Sequence, residues 1–207
     1  MNKTKCRLRT LGGTTILSRP ILGRVFYLKG NNMDKLILKE MTIDDKDSVL
    51  EYLKEFTEYG SAMHGLGGAS SAKSFEDLLE KFEQGKTLEY SGYEGETTPC
   101  ASYLVVRESD NRIVGSINFR WHLTRKLDEN FGGNIGYGIR PTERRKGYAT
   151  ESLRLGLELC KQKGLKSVRI GCYSDNTGSR KTILNNGGKL IAHKDMLIAS
   201  DYYEITL

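Results

Sequence analysis

Arg144, Arg145 and Lys146 stand directly before Gly147 and an amphipathic run that continues to about Lys163. Basic residues, a glycine and a helix start, in that order, make a site for an anion. The first N–H groups of a helix have no intrahelical acceptor, and the helix dipole is positive at that end. A position without a Cβ lets a bulky pyrophosphate come close to the main chain. Upstream, Asn134-Ile-Gly-Tyr-Gly-Ile-Arg-Pro141 reads as a strand in which Gly136 and Gly138 mark a bulge or a ligand lying along the backbone. Pro141 ends the pairing because it has no N–H to donate. A splayed strand beside an anion-binding helix start suits a long ligand with an amide-bearing arm and a pyrophosphate, and coenzyme A is such a ligand.

An alternating order of strands and helices must carry this turn. Lys35–Met41 reads as a strand, and Thr42 caps a helix through about Tyr59 whose Asp44, Asp45 and Asp47 favour the positive dipole end. Ser61–Ala72, rich in Gly, Ser and Ala, reads as a mobile loop. Ser74 caps a second helix with Phe75, Leu78, Leu79 and Phe82 on one stripe. Ser102–Glu108 and Arg112–Trp121 form a hairpin across a Ser-Asp-Asn turn. In its second strand Ile113, Ile117, Phe119 and Trp121 share the buried face, and Ser116, Asn118, Arg120 and His122 the other. Leu123–Phe131 reads as a short helical insertion. A long helix from about Arg145 buries Ala149, Leu153, Gly156, Leu157 and Cys160. Lys166–Tyr173 is a strand, Asn176–Asn186 a helix stopped by Gly187, and Lys189–Ile198 with Tyr203–Leu207 a final pair.

The chain of 207 residues has a formal charge of +6, which invites a nucleic-acid reading. Residues 1–33 hold seven basic residues and no acid; removing them from the total of 32 leaves 25 basic against 26 acidic side chains for residues 34–207. The body is near neutral, so no nucleic-acid partner is expected, and the Arg144–Lys146 cluster fits one anionic cofactor better than a polyanion. Cys6, Cys100, Cys160 and Cys172 lack metal-binding or redox spacing, with Cys160 and Cys172 at positions that read as buried. A reduced, cytoplasmic setting is expected, with no metal site and no membrane span.

Residues 1–32 read as a basic leader outside the fold, with the domain spanning residues 33–207. Their composition resembles an organelle transit peptide, but a start at Met33 fits better. Lys29-Gly30-Asn31-Asn32 can be encoded by an adenine-rich stretch containing AAGG, as in a bacterial ribosome-binding site read through as protein.

Arg144-x-x-Gly147-x-Ala149 resembles the Arg/Gln-x-x-Gly-x-Gly/Ala signature of the GNAT superfamily of N-acetyltransferases. Downstream, Asp175-Asn176-Thr-Gly-Ser179-Arg-Lys181-Thr-Ile183-Leu-Asn-Asn-Gly187-Gly188 is similar to the family's Asn-x-x-Ser-x-x-x-hydrophobic-x-x-x-Gly segment. The resemblance covers roughly Lys35 to Leu207 and is most specific from Gly133 to Gly188. The run Arg120–Ala149 looks most like a bacterial group of predicted acetyltransferases without a settled substrate. It implies an α/β GNAT fold: a single domain with a mixed, mostly antiparallel central sheet flanked by helices. It also implies acetyl-CoA as co-substrate and a small-molecule or protein amine as acceptor, and leaves a homodimer open.

By position, the resemblance places the backbones of Tyr137, Gly138 and Ile139 on the pantetheine arm and thioester. It places the N–H groups of Arg145, Lys146, Gly147, Tyr148, Ala149 and Thr150 on the pyrophosphate, and Asn176 on the pantetheine end. Where many members carry a tyrosine near the thiol sulfur, this chain has Ile183, which can donate nothing. Tyr173 or Tyr137 could serve as the acid instead, or the thiolate could take a proton from water; Tyr173 reads equally as a packed aromatic. His122, Glu58 and Glu143 are the candidate bases. His122 is a base by residue type but also fits a surface histidine, and Glu143 fits a solvated acid. Asn118 and Arg120 could bind a carboxylate on the acceptor or pair across the sheet. His64 reads as a loop histidine. The alternative to an enzyme is a non-catalytic acyl-CoA-binding or regulatory domain.

Overall fold

The structure, a computed structural model, describes residues 34–87, 98–195 and 198–207, with the backbone alone of residues 25–26, 92–93 and 96–97. The basic leader and the start at Met33 lie outside the described residues, apart from a two-residue strand β1 (Val25–Phe26), which pairs with Lys39 and Leu38. A first sheet runs β1, β2 (Leu36–Lys39), β5 (Cys100–Arg107), β6 (Arg112–Arg120), β7 (Ile135–Ile139). In the chain, β2 and β5 are separated by a short ribbon of β3 (Gly92–Tyr93) and β4 (Glu96–Thr97), which among the described residues pair only with each other. A second sheet has the order β8 (Ser167–Tyr173), β10 (Ser200–Thr206), β9 (Lys189–Lys194). Among the described residues every ladder is antiparallel.

Period-2 alternation assigns the first sheet's two faces. Ile37, Leu104 and Val106 point to one core, closed by Val49, Tyr52 and Phe56 of α1 (Lys46–Glu58) and Phe75, Leu78 and Phe82 of α2 (Phe75–Gly85). Leu36, Leu38, Val105, Ile117 and Phe119 point to the other. That side is closed by Leu153, Leu155, Leu159 and Cys160 of α4 (Tyr148–Gln162) and by Ile183 of α5 (Thr177–Asn185). A short α3 (Arg125–Glu129) sits before β7.

Several sequence expectations shift for physical reasons. Ile113 does not share a face with Ile117 and Phe119: the register slips between Val105 and Val106, leaving Val114 as the extra residue of a bulge, so Ile113 joins the α1/α2 core and Val114 the opposite one. Trp121 is half-buried rather than core, stacked on Phe119 at 5.4 Å with Lys163 over its ring. Ser74 caps α2 as expected, accepting from the Asp77 N–H at 3.1 Å, whereas α1 is preceded by a 3-10 turn at Ile43–Asp45. The long helix starts at Tyr148 instead of about Arg145, because Arg145 (φ 66°) and Gly147 (φ 83°) are both left-handed and cannot continue a helix.

The Gly-rich loop 61–72 is packed down rather than free. Leu66 is buried, the Gly67 N–H donates to Ser102 Oγ at 3.3 Å, and Ser116 Oγ donates to the His64 carbonyl at 3.2 Å. This contact explains Gly138. A Cβ there would lie 2.4 Å from the His64 carbonyl oxygen, and one on Gly65 would lie 2.6 Å from the Tyr137 Cα. β7 itself pairs regularly with β6, so Gly138 makes room for a loop, not for a bulge. Gly138→Ala is expected to force the loop off β7, costing about 1–3 kcal/mol and raising proteolytic cleavage within residues 61–72; an unchanged melting temperature and digest would contradict the packing.

Ion pairs fix the segment between β7 and α4. Arg140, 2% exposed, donates through Nε to Glu55 Oε2 at 2.7 Å and through Nη1 to the Ile113 carbonyl at 3.0 Å. The Thr142 N–H and hydroxyl both donate to Glu55 Oε1 at 2.8 Å. Glu143 is buried, not solvated, and meets Arg107 Nη1 at 2.9 Å and Lys146 Nζ at 2.8 Å. Burial opposes its charge, but Lys146 and Arg107 outweigh burial and hold the Glu143 carboxyl below the ordinary range. An acid so engaged is a strut, not a base.

Candidate functional site

The two sheets touch at one end and part at the other. At the base, the Asn134 N–H donates to the Arg169 carbonyl at 2.7 Å, and Asn134 Oδ1 accepts from the Arg169 N–H at 2.8 Å. Beyond that clamp, β7 and β8 form no ladder. The register says which groups face the gap. The Arg120 N–H donates to the Asn134 carbonyl and the Arg140 N–H to the Val114 carbonyl, so the even-numbered residues of β7 bond to β6. The N–H and C=O of Ile135, Tyr137 and Ile139 therefore point outward. Gly138, expected among the backbone contacts, directs its polar groups at Ser116 instead. The Ile139 carbonyl accepts from Arg144 Nε at 3.0 Å, which folds Arg144 back under the strand end, with Nη2 donating to Ser61 Oγ at 2.7 Å.

The turn after β7 collects donors. Among the described residues, none of the N–H groups of Arg145, Lys146, Gly147, Tyr148, Ala149 and Thr150 donates to a protein acceptor; the first to do so is that of Glu151, which reaches the Gly147 carbonyl at 3.1 Å. Two left-handed residues and the α4 N-terminus make this turn, the kind of backbone in which successive N–H groups can meet one anion. The Tyr148 ring is buried beneath, and its hydroxyl donates to Asp34 at 2.5 Å and accepts from Arg107 at 3.1 Å.

A cavity of about 340 Å³ fills the gap between β7 and β8. Tyr137, Cys172, Tyr173, Asn176, Ser179, His64 and Arg120 are among the residues that line it. The Tyr137 hydroxyl reaches Ser179 Oγ at 2.8 Å, and burial pushes its pKa well above the ordinary tyrosine value. Asn176 caps α5, with Oδ1 accepting from the Ser179 N–H at 3.0 Å. Tyr173 is 45% exposed at the end of β8. Burial pushes the half-buried Cys172 thiol up to about 11. Ile183 is fully buried in the core.

The sequence candidates divide accordingly. Tyr137, Tyr173, Asn176 and Arg120 come together on the cavity, while Ile139 and the 145–150 amides continue the same edge. Asn118 is buried with its Nδ2 donating to Ser102 Oγ at 2.8 Å, where it props the loop without lining the cavity. His122 is exposed, its backbone paired with the Thr98 hydroxyl, and does not line the cavity either. Glu58 sits at the solvent end of α1, paired with Lys54 at 3.1 Å. His64 and Ser179 are cavity residues to which sequence reasoning gave no role. Ser179 could have been found from its place one turn after the Asn176 cap. Nothing local in the loop marks His64.

No curated protein sequence matches the chain significantly. Solved structures share its fold. RimJ of Mycobacterium smegmatis, in complex with CoA-disulfide, aligns with TM-score 0.62 at 15% identity, over 88% of this chain and 86% of its own. Ribosomal-protein-S5-alanine acetyltransferase of Vibrio fischeri aligns with TM-score 0.62 at 14% identity, over 88% and 96%. The microcin C7 self-immunity acetyltransferase MccE, in complex with acetyl-CoA and AMP, aligns with TM-score 0.57 at 15% identity, over 84% and 93%. The family model of the acetyltransferase (GNAT) domain matches residues 35–189, well over half of the sequence. With the parted β7/β8 edge and the donor-rich turn before α4, that match says what the chain is: a member of the GNAT acetyltransferase family.

Proposed function

We propose that this protein is an acetyl-CoA-dependent N-acetyltransferase that moves the acetyl group to a primary amine by direct attack in a ternary complex. The carrying observation is the row of backbone donors from Arg145 to Thr150, which face no protein acceptor among the described residues and suit a diphosphate. Tyr137 and Ile139, at the open edge of β7, take the amide-bearing arm, and Asn176 its far end. The acetyl group then lies in the cavity. The amine nitrogen attacks the thioester carbonyl, the N–C bond forms as the C–S bond breaks, the thiolate gains a proton and the new ammonium loses one.

Since Ile183 offers no proton, the hydroxyl pair of Tyr137 and Ser179 is the donor we favour over Tyr173, because its 2.8 Å bond lies inside the cavity. Tyr137→Phe is expected to lower kcat about tenfold with KM for acetyl-CoA unchanged, whereas Tyr173→Phe leaves kcat near wild type; the reverse order would move the role to Tyr173. His122 and Glu58, placed away from the cavity lining, can take the acceptor's proton only through water. The acceptor carries its amine on a small molecule or a protein: the relatives named above include a ribosomal-protein acetyltransferase and a microcin self-immunity enzyme.

The buried Ile183 favours one second reading, a non-catalytic acyl-CoA-binding module. Free thiol release from acetyl-CoA over a panel of amines separates the two. Release that depends on an acceptor supports the transferase; binding of acetyl-CoA without release on any amine supports the module.

A further inference from the structure

Arg120 is the unusual charge of this molecule. Its side chain lies within the parted strands, and Nη1 donates to the carbonyls of Gly132 and Gly133 at 2.9 and 3.0 Å. Among the described residues neither Nε nor Nη2 has a protein acceptor, and no carboxylate lies within ion-pair distance. Comparably placed arginines differ: Arg140 is matched by Glu51 and Glu55, and Arg107 by Asp110 and Glu143. Burial pulls the Arg120 pKa below its ordinary value, as expected for a charge without a counter-ion. Its Nη2 lies 3.8 Å from where a Cβ on Gly136 would stand, so the absent side chain leaves the fork open toward the β7 edge. Among the described residues no Asp or Glu lines the cavity, and Arg120 is the one permanent charge there.

We infer that the acceptor is an acidic amine, an α-amino acid or another amine with a carboxylate a few bonds from the reacting nitrogen, and that Arg120 binds that carboxylate. This rests on the transferase reading above. A guanidinium held by one nitrogen and free at the others presents a fork for bidentate carboxylate binding. Charge-assisted bonds of that kind are worth tenfold to about a hundredfold in affinity. The same positive charge repels a second one in a cavity without acids, which disfavours polyamines and aminoglycosides. Phe131, Ile135 and Tyr173 on the lining leave an apolar wall for the rest of the acceptor.

Product-like ligands test this without turnover. The full-length protein saturated with CoA is titrated by calorimetry with N-acetylglycine, N-acetyl-L-alanine and N-acetyl-L-phenylalanine, with the primary amide of each, and with N1-acetylspermidine. At least one acid is expected to bind tenfold or more tighter than its amide, and the acetylated polyamine weakest of all. Arg120→Gln should erase the acid preference and Arg120→Lys keep part of it. If Arg120→Gln fails to fold, through loss of the Gly132 and Gly133 bonds, the acid-against-amide comparison in the unaltered protein still decides. No acid preference in any of the three pairs, a preference that survives in folded Arg120→Gln, or tighter binding of N1-acetylspermidine would each overturn the inference while leaving CoA binding intact. Failure of CoA itself to bind would instead overturn the transferase reading.

Discussion

Gly147→Asp is expected to weaken acetyl-CoA binding about a hundredfold or more while the protein stays folded. Two effects act together. Gly147 has φ 83°, a left-handed conformation that costs a residue with a Cβ about 1 kcal/mol. More important, the new carboxylate would stand among the N–H groups from Arg145 to Thr150, where a diphosphate must dock; losing charge-assisted bonds and adding repulsion amounts to roughly 3 kcal/mol or more. Gly147→Ala separates the two, since it adds the strain without the charge and should lose less than tenfold. Calorimetric titration with acetyl-CoA measures both. Equal affinity for the wild type and Gly147→Asp would mean that the turn is not the anion site.

Glu55→Ala is expected to destabilise the fold by about 3–5 kcal/mol, the range for removing one partner of a buried pair. Arg140, 2% exposed, would lose its main counter-ion, and the Thr142 N–H and hydroxyl their common acceptor. Because those bonds anchor the start of the donor-rich turn, acetyl-CoA affinity should fall as well. The pH dependence has a definite sign. Burial works against the Glu55 charge, but Arg140 and Thr142 more than compensate and lower its native pKa. A carboxyl lowered in the folded state contributes stability that is complete above the unfolded value of about 4.3 and is lost as pH falls through the lower native value. Wild type should therefore lose stability steeply below about pH 4, and Glu55→Ala less steeply. Denaturant midpoints for both proteins at pH 7 and pH 3.5 check this; parallel curves would remove Glu55 from the account.

Much of the donor side was legible because its signals are local. Three basic residues, a glycine and an amphipathic run are contiguous, and the cap at Asn176 sits one turn before Ser179. What escaped was set by distant partners. Gly136 and Gly138 read as a ligand path, yet Gly138 accommodates the His64 carbonyl of a loop more than seventy residues upstream. Glu143 read as solvated because its arginines, Arg107 and Arg112, lie more than thirty residues upstream, at the end of β5 and the start of β6. The helix start shifted because a left-handed Arg145 leaves no trace in residue type. The face of Ile113 flipped because the bulge at Val114 is fixed by pairing between strands, not by the strand's own pattern. Arg120 was visible as a polar strand residue; that no counter-ion meets it among the described residues was not, since that depends on where distant acids of the fold are placed.

Backbone amide hydrogen exchange, resolved by residue and recorded with and without CoA, tests the central claim most directly. Binding should slow exchange most strongly from Arg145 to Thr150, with a second protected set at Tyr137 and Ile139. If CoA binds while the 145–150 amides exchange at their unliganded rates, the diphosphate docks elsewhere and the reading of this turn is wrong.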